Sequence, residues 1–193
     1  MRTKLDMSQD NIRTKSIWTV VALSIVGLGI LIILILQQLA PISGLQLYGR
    51  QLRGHSHDIV ISSGDLPPVG GVHANVWQTC GIYTKPVATE NAVHSLEHGA
   101  VWITYQPDLP EPQIEQLQQI VVGEPYLLLT PYPGQRTPVV LTAWAVQLEV
   151  DSVADERIKQ FIRRYRLGPS TPERGGACSG FGGIGDPLEL DGH

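Results

Sequence analysis

The stretch VHSLEHG, residues 93–99, sets two histidines four positions apart with a glutamate beside the second. On a helix this spacing stacks His94 and His98 one turn apart, so that two imidazole nitrogens can reach one ion. Two ligands hold a metal weakly, and a third has to come from another part of the chain. His73, at the end of the Gly-rich run GGVH, is the remaining histidine inside the predicted folded core, and Gly70 and Gly71 allow that backbone to approach the helix closely. Three neutral imidazoles suit copper or zinc, which favour nitrogen donors. Glu97 is then expected behind the ligands, orienting one of the histidines. Cys80, seven residues after His73, could add a thiolate, although a buried thiol or a disulfide is the commoner use of such a residue.

Other chemistries fit the same residues. HxxEH is also a zinc-hydrolase pattern in which the glutamate acts as general base and a distant acid completes the site. Glu149, Glu156 and Glu173 are the candidates for that acid, but the domain is small for the substrate cleft such an enzyme encloses. The histidines and Glu97 could equally hydrogen-bond among themselves as structural groups, or bind a small ligand without metal. His55 and His57 fall in a segment read as a linker, where histidines are ordinarily solvated.

The elements that must position these residues follow from periodicity. Residues 17–36 carry no charge and contain fourteen Ile, Leu or Val, and twenty residues span about 30 Å as a helix. They are read as one transmembrane helix. Arg2, Lys4, Arg13 and Lys15 precede it, which places residues 1–16 in the cytoplasm and the remainder outside. Residues 37–57 read as a linker, with Asp58 to Ser62 as a short strand. Thr89 caps a helix that stops at Gly99. AVWITY is a strand, and Asp108 caps an amphipathic helix carrying Ile114, Leu117 and Val121. Two further strand regions, YLLLT and TPVVLTAWAVQLEV, precede a last helix with Ile158, Phe161, Ile162 and Tyr165 on one face. The expected fold over residues 58–167 is α+β, a mixed β-sheet with about three helices, preceded by the transmembrane helix. The element order also occurs in thioredoxin-like folds, but the long loop before the first helix and the lack of a Cys-X-X-Cys pair argue against that chemistry. Residues 168–193 form a Gly-rich tail, read as mostly disordered.

Charge and cysteine usage narrow the partners. From Pro41 onward there are ten Lys and Arg against sixteen Asp and Glu, so nucleic acid is excluded as a partner. The expected partners are membrane lipid, through the apolar span, and a larger membrane protein complex, to which the basic last helix and the tail could dock. Cys80 and Cys178 can pair in an extracytoplasmic domain, where disulfides persist.

Several of these segments resemble the prokaryotic domain-of-unknown-function family 3105 (DUF3105), whose members are often membrane-anchored. The resemblance rests on PPVGGVH, CGIY, VHSLEHGAVWITY, LTAW and FIRRYRLGP, and covers residues 67–169. It implies that His73, His94, Glu97 and His98 matter, and it names no reaction. The function expected is a membrane-anchored extracytoplasmic domain that binds copper or zinc through His73, His94 and His98, with accessory-subunit and zinc-hydrolase roles as the alternatives.

Overall fold

The structure, a computed structural model, describes residues 18–33, 40–61 and 64–189. It separates into two units, residues 1–41 and 42–193. The first unit contains helix α1, residues 18–33. No helix among the described residues is long and apolar enough to cross a membrane. This corrects the expected transmembrane helix: α1 rises only about 24 Å at 1.5 Å per residue, and Ile17 and residues 34–36 of the expected span lie outside the described residues, as does the segment 1–16.

The second unit is α+β. Its strands are β1 (Gln46–Leu47), β2 (His55–Ser56), β3 (His73–Ala74), β4 (Gly81–Ile82), β5 (Val101–Tyr105), β6 (Leu127–Pro131), β7 (Val139–Ala143) and β8 (Val146–Val150). Its helices are α2 (Thr89–His98), α3 (Glu111–Val121) and α4 (Arg157–Tyr165). Six strands form one mixed sheet in the order β1-β8-β7-β5-β6-β4, and β2 and β3 form a separate parallel pair. Within the large sheet β6 runs parallel to β4 and β5, while β7 is antiparallel to β5 and β8.

Alternation along the strands gives the sheet two unlike faces. Val101, Ile103, Leu127, Leu129, Leu141 and Leu148 point to the face covered by α3 and α4, where Leu117, Phe161 and Ile158 complete the larger core. Trp102, Leu128 and Trp144 point the other way, against Ala92, Val93 and Leu96 of α2. Since α2 covers this face with its apolar side, His94 and His98 on its opposite side face the loops that wrap it.

Several expectations change here. Thr89 is not a cap: Ala88 is the N-cap residue and no side chain caps the helix. Gly99 does end α2, in a left-handed conformation with φ 110°, and a Cβ there would meet Leu167 Cδ2 at 2.7 Å. The helix at Asp108 begins after Pro110 instead. Residues 58–61 form no strand, and Ser62 lies outside the described residues. The segment read as a linker supplies β1, paired with β8, and β2, paired with β3. The described part of the expected disordered tail is tied to the domain: Glu173 N–H donates to Glu97 O, Gly175 N–H to His98 O, and Leu188 N–H to Ile82 O. Two of these bonds satisfy carbonyls at the C-terminal end of α2, which has no further turn to accept from. Cys80 and Cys178 form a disulfide with Cα atoms 5.2 Å apart, closing a loop across 98 positions.

On the α2 face of the sheet, beyond the helix, Glu149 accepts from Arg136 Nη2 at 2.6 Å, from Thr137 Oγ1 and from Gln46 Nε2. The Arg136 bond above all holds the Glu149 carboxyl down at about 2, although burial opposes it. The unfolded chain takes up this proton near 4.5, so the stabilisation is complete above that pH and is lost as pH falls toward 2. In chelator-treated protein, the stability lost between pH 6 and pH 3 in urea titrations should be smaller in Glu149→Gln than in the wild type, by about 1 kcal/mol once solvent screening at the half-exposed Arg136 is allowed for. A separate scan with reductant tests the disulfide, whose loss should remove several kcal/mol, about 4.7 by chain entropy.

Candidate metal centre

Three segments converge on the solvent side of α2. The β2–β3 pairing sets His55 directly opposite His73, and His73 N–H donates to Gly54 O at 3.0 Å. Ring centroids of His55, His73 and His94 lie 4.7 to 4.9 Å apart. One ligand atom from each of these rings and one Glu97 oxygen all lie within 4.8 Å of one another. His73, His94 and Glu97 are buried, with relative exposures of 0%, 4% and 1%, whereas the His55 side chain is 40% exposed.

The hydrogen bonds fix which nitrogens face inward. His73 Nδ1 lies 2.8 Å from Gly71 O, His94 Nδ1 2.7 Å from Ala74 O, and His98 Nδ1 2.6 Å from Ala177 O. A carbonyl oxygen only accepts, so each Nδ1 carries the proton and donates it, and in a neutral ring Nε2 is left as a bare lone pair. This is the carbonyl-oriented imidazole found behind metal ligands. Gly176 makes room for the third of these bonds: a Cβ there would sit 2.6 Å from the His98 ring.

Glu97 is divided between two tasks. Oε1 accepts from Arg53 Nε at 2.9 Å, and Arg53 Nη2 reaches Glu173 Oε1 at 3.1 Å. The bond to Glu97 is the chief reason that the Arg53 pKa is raised. Oε2 lies 2.9 Å from His73 Nε2 and 3.6 Å from His55 Nε2. Yet neither Glu97 Oε2 nor His73 Nε2 makes a hydrogen bond, and both atoms are buried. Proximity without hydrogen-bond alignment leaves two buried polar atoms side by side, each able to take a cation. An ion held at about 2.0 to 2.1 Å sets tetrahedral ligand atoms roughly 3.4 Å apart, so on binding the 2.9 Å pair would open slightly and the wider pairs of the cluster would close in. The donor set, imidazole nitrogens with one carboxylate oxygen, fits a borderline transition metal.

Electrostatics make a proton a poor substitute. Burial first, and then the neighbouring His98, His73 and His55, push the His94 pKa down to about 4 from 6.5, against the Ala74 hydrogen bond that would raise it. His94 is therefore neutral at pH 7.

Of the residues singled out from sequence, His73 and His94 lie in the cluster, and Glu97 faces into it rather than standing behind it. His98 is on its flank, with Nε2 3.0 Å from His94 Nε2, outside the group of four. Cys80 is held by Cys178, so it offers no thiolate. His55 was missed because β2 is only two residues long and its pairing partner lies eighteen positions away. His57 hydrogen-bonds Asn75 instead. Trp77 lies against His94 and His98, at 6.1 and 5.6 Å between centroids, and Trp144 meets His73 edge-on.

Long-range ¹H–¹⁵N spectra of chelator-treated protein should show the Nδ1–H form for His73, His94 and His98, with His94 titrating near 4. The sign follows: an unfolded His94 binds a proton near 6.5, so its burial makes the native state lose stability as pH falls from 6.5 toward 4. An Nε2–H signal for His94 at pH 7 would contradict the assignment.

No curated protein and no solved structure matches the chain. Residues 55–180 match the family described as protein of unknown function (DUF3105), a region that begins at His55 and takes in every residue of the cluster. The chain belongs to the DUF3105 family.

Proposed function

We propose that this domain binds one transition-metal ion, copper or zinc, through His55, His73, His94 and Glu97, and serves to hold and deliver it outside the cytoplasm. The observation that carries this reading is the pair of buried atoms, His73 Nε2 and Glu97 Oε2, that lie 2.9 Å apart without a hydrogen bond. Copper stands first because divalent copper binds nitrogen sites most strongly in the first row, and zinc second. The disulfide supports a location outside the cytoplasm, where such bonds persist. Hydrolysis is less well supported: Glu97 is 1% exposed and held by Arg53, so it is poorly placed to take a proton from an attacking water. An accessory-subunit role draws on a different feature, the apolar side chains of Phe181 and Ile184, 106% and 50% exposed on the C-terminal segment.

The test is metal content by mass spectrometry after loading with Cu²⁺ or Zn²⁺ and desalting. The wild type should retain about one equivalent and gain roughly 3 kcal/mol of stability at free metal a hundredfold above Kd. His73→Asn places an amide nitrogen near the former Nδ1, so the bond to Gly71 O can persist while the ligand atom is gone, and metal affinity should fall about tenfold or more. Wild-type protein that retains neither ion ends the metal reading and leaves the accessory role.

A further inference from the structure

His98 is not explained by the four-ligand cluster. Its Nδ1–H is donated to Ala177 O at 2.6 Å, and His94 likewise donates to Ala74 O. Two bare lone pairs therefore face each other across the 3.0 Å between His94 Nε2 and His98 Nε2. Such a contact is repulsive unless a cation lies against both nitrogens. A metal bound at about 2 Å from each would fit that separation. On the outer side, His98 Nε2 lies 3.9 Å from Glu173 Oε2, and the Glu173 side chain is 44% exposed against 8% for His98. The same carboxylate is tied by Arg53 to Glu97 of the cluster. The donors thus form a graded series, from solvated Glu173 through nearly buried His98 to buried His94.

From this geometry we propose a second metal position, made of His98 and Glu173 with His94 shared, through which a divalent copper or zinc ion is exchanged with the four-ligand cluster. The proposal rests on the metal reading given above. His94 never has to release the ion: its Nε2 stays bound while His55, His73 and Glu97 are replaced by His98 and Glu173, so that the charge remains partly coordinated throughout. No electron moves and no covalent bond is made. Two donors with one shared imidazole bind more weakly than the cluster, as an exchange position must. Trp77 packs against the His94 and His98 rings, and Glu173 is the polar approach to this edge.

The full chain is loaded with one equivalent of Zn²⁺ and the ion is withdrawn by a chromogenic chelator in excess. His98→Asn keeps an amide nitrogen for Ala177 O while removing the inner ligand atom, and Glu173→Gln removes the outer carboxylate. Both variants should retain about one equivalent with affinity within roughly threefold of the wild type, yet release it about tenfold more slowly. An unchanged release rate in His98→Asn would overturn the proposal. Loss of the bound ion in that variant, with a wild-type circular dichroism spectrum, would overturn it too, because His98 would then belong to the primary site. Wild-type protein that never binds Zn²⁺ or Cu²⁺ defeats the metal reading itself, a separate result.

Discussion

A carboxylate oxygen and the Nε2 atoms of imidazoles whose Nδ1 atoms are committed to backbone carbonyls are held together in a buried space, and most of the local structure can be read as what is required to keep them there. Left alone these atoms repel one another and have lost their water, a combination that favours unfolding. The chain resists in two ways. Each buried imidazole is locked by a backbone carbonyl, so that it cannot turn its N–H inward, and Arg53 neutralises one side of Glu97. What remains is a site with its positive charge outside and its lone pairs inside, an arrangement that favours a small cation in the middle.

The stability for this comes from elsewhere in the domain. The larger core, with Leu117, Phe161, Leu141 and Leu148, lies on the far face of the sheet and includes none of the site residues. Helix α2 is seated on the near face by Ala92, Val93 and Leu96, and so acts as a rigid carrier for His94, Glu97 and His98. The partners it meets come from distant positions, residues 53–55, 73 and 173–178. The disulfide fixes the last of these: Cys178 follows Ala177, whose carbonyl orients His98.

The legible parts of the sequence were those in which local pattern and tertiary role coincide. VHSLEHG shows its histidines on one side of a helix and its stop at Gly99 because the apolar face and the glycine are both local signals. The five-residue strands β5 to β8 are apolar enough to stand out. The strands β1 and β2 have two residues each and no periodicity to detect, so the contribution of His55 was hidden. The tail was misread for a related reason. Its glycines suggested disorder, yet Gly176 is where the chain must pass against the His98 ring, and composition alone does not tell a flexible glycine from one needed for close approach.

The uneven burial of the ligands bears on what the site does. A structural zinc site is closed on all sides and contributes directly to folding. Here three ligands are buried and the fourth, His55, is 40% exposed on a two-stranded pair outside the main sheet. The principal core packs without any ligand residue, so the fold does not depend on the ion in the way a zinc finger does. The open side of the cluster is thus His55, while the buried His94 is the donor that also faces the His98 and Glu173 edge. That asymmetry suits an ion that is held and given up, and it agrees with the absence of a thiolate, since Cys80 is committed to the disulfide and an imidazole–carboxylate set binds less tenaciously than a sulfur-rich one.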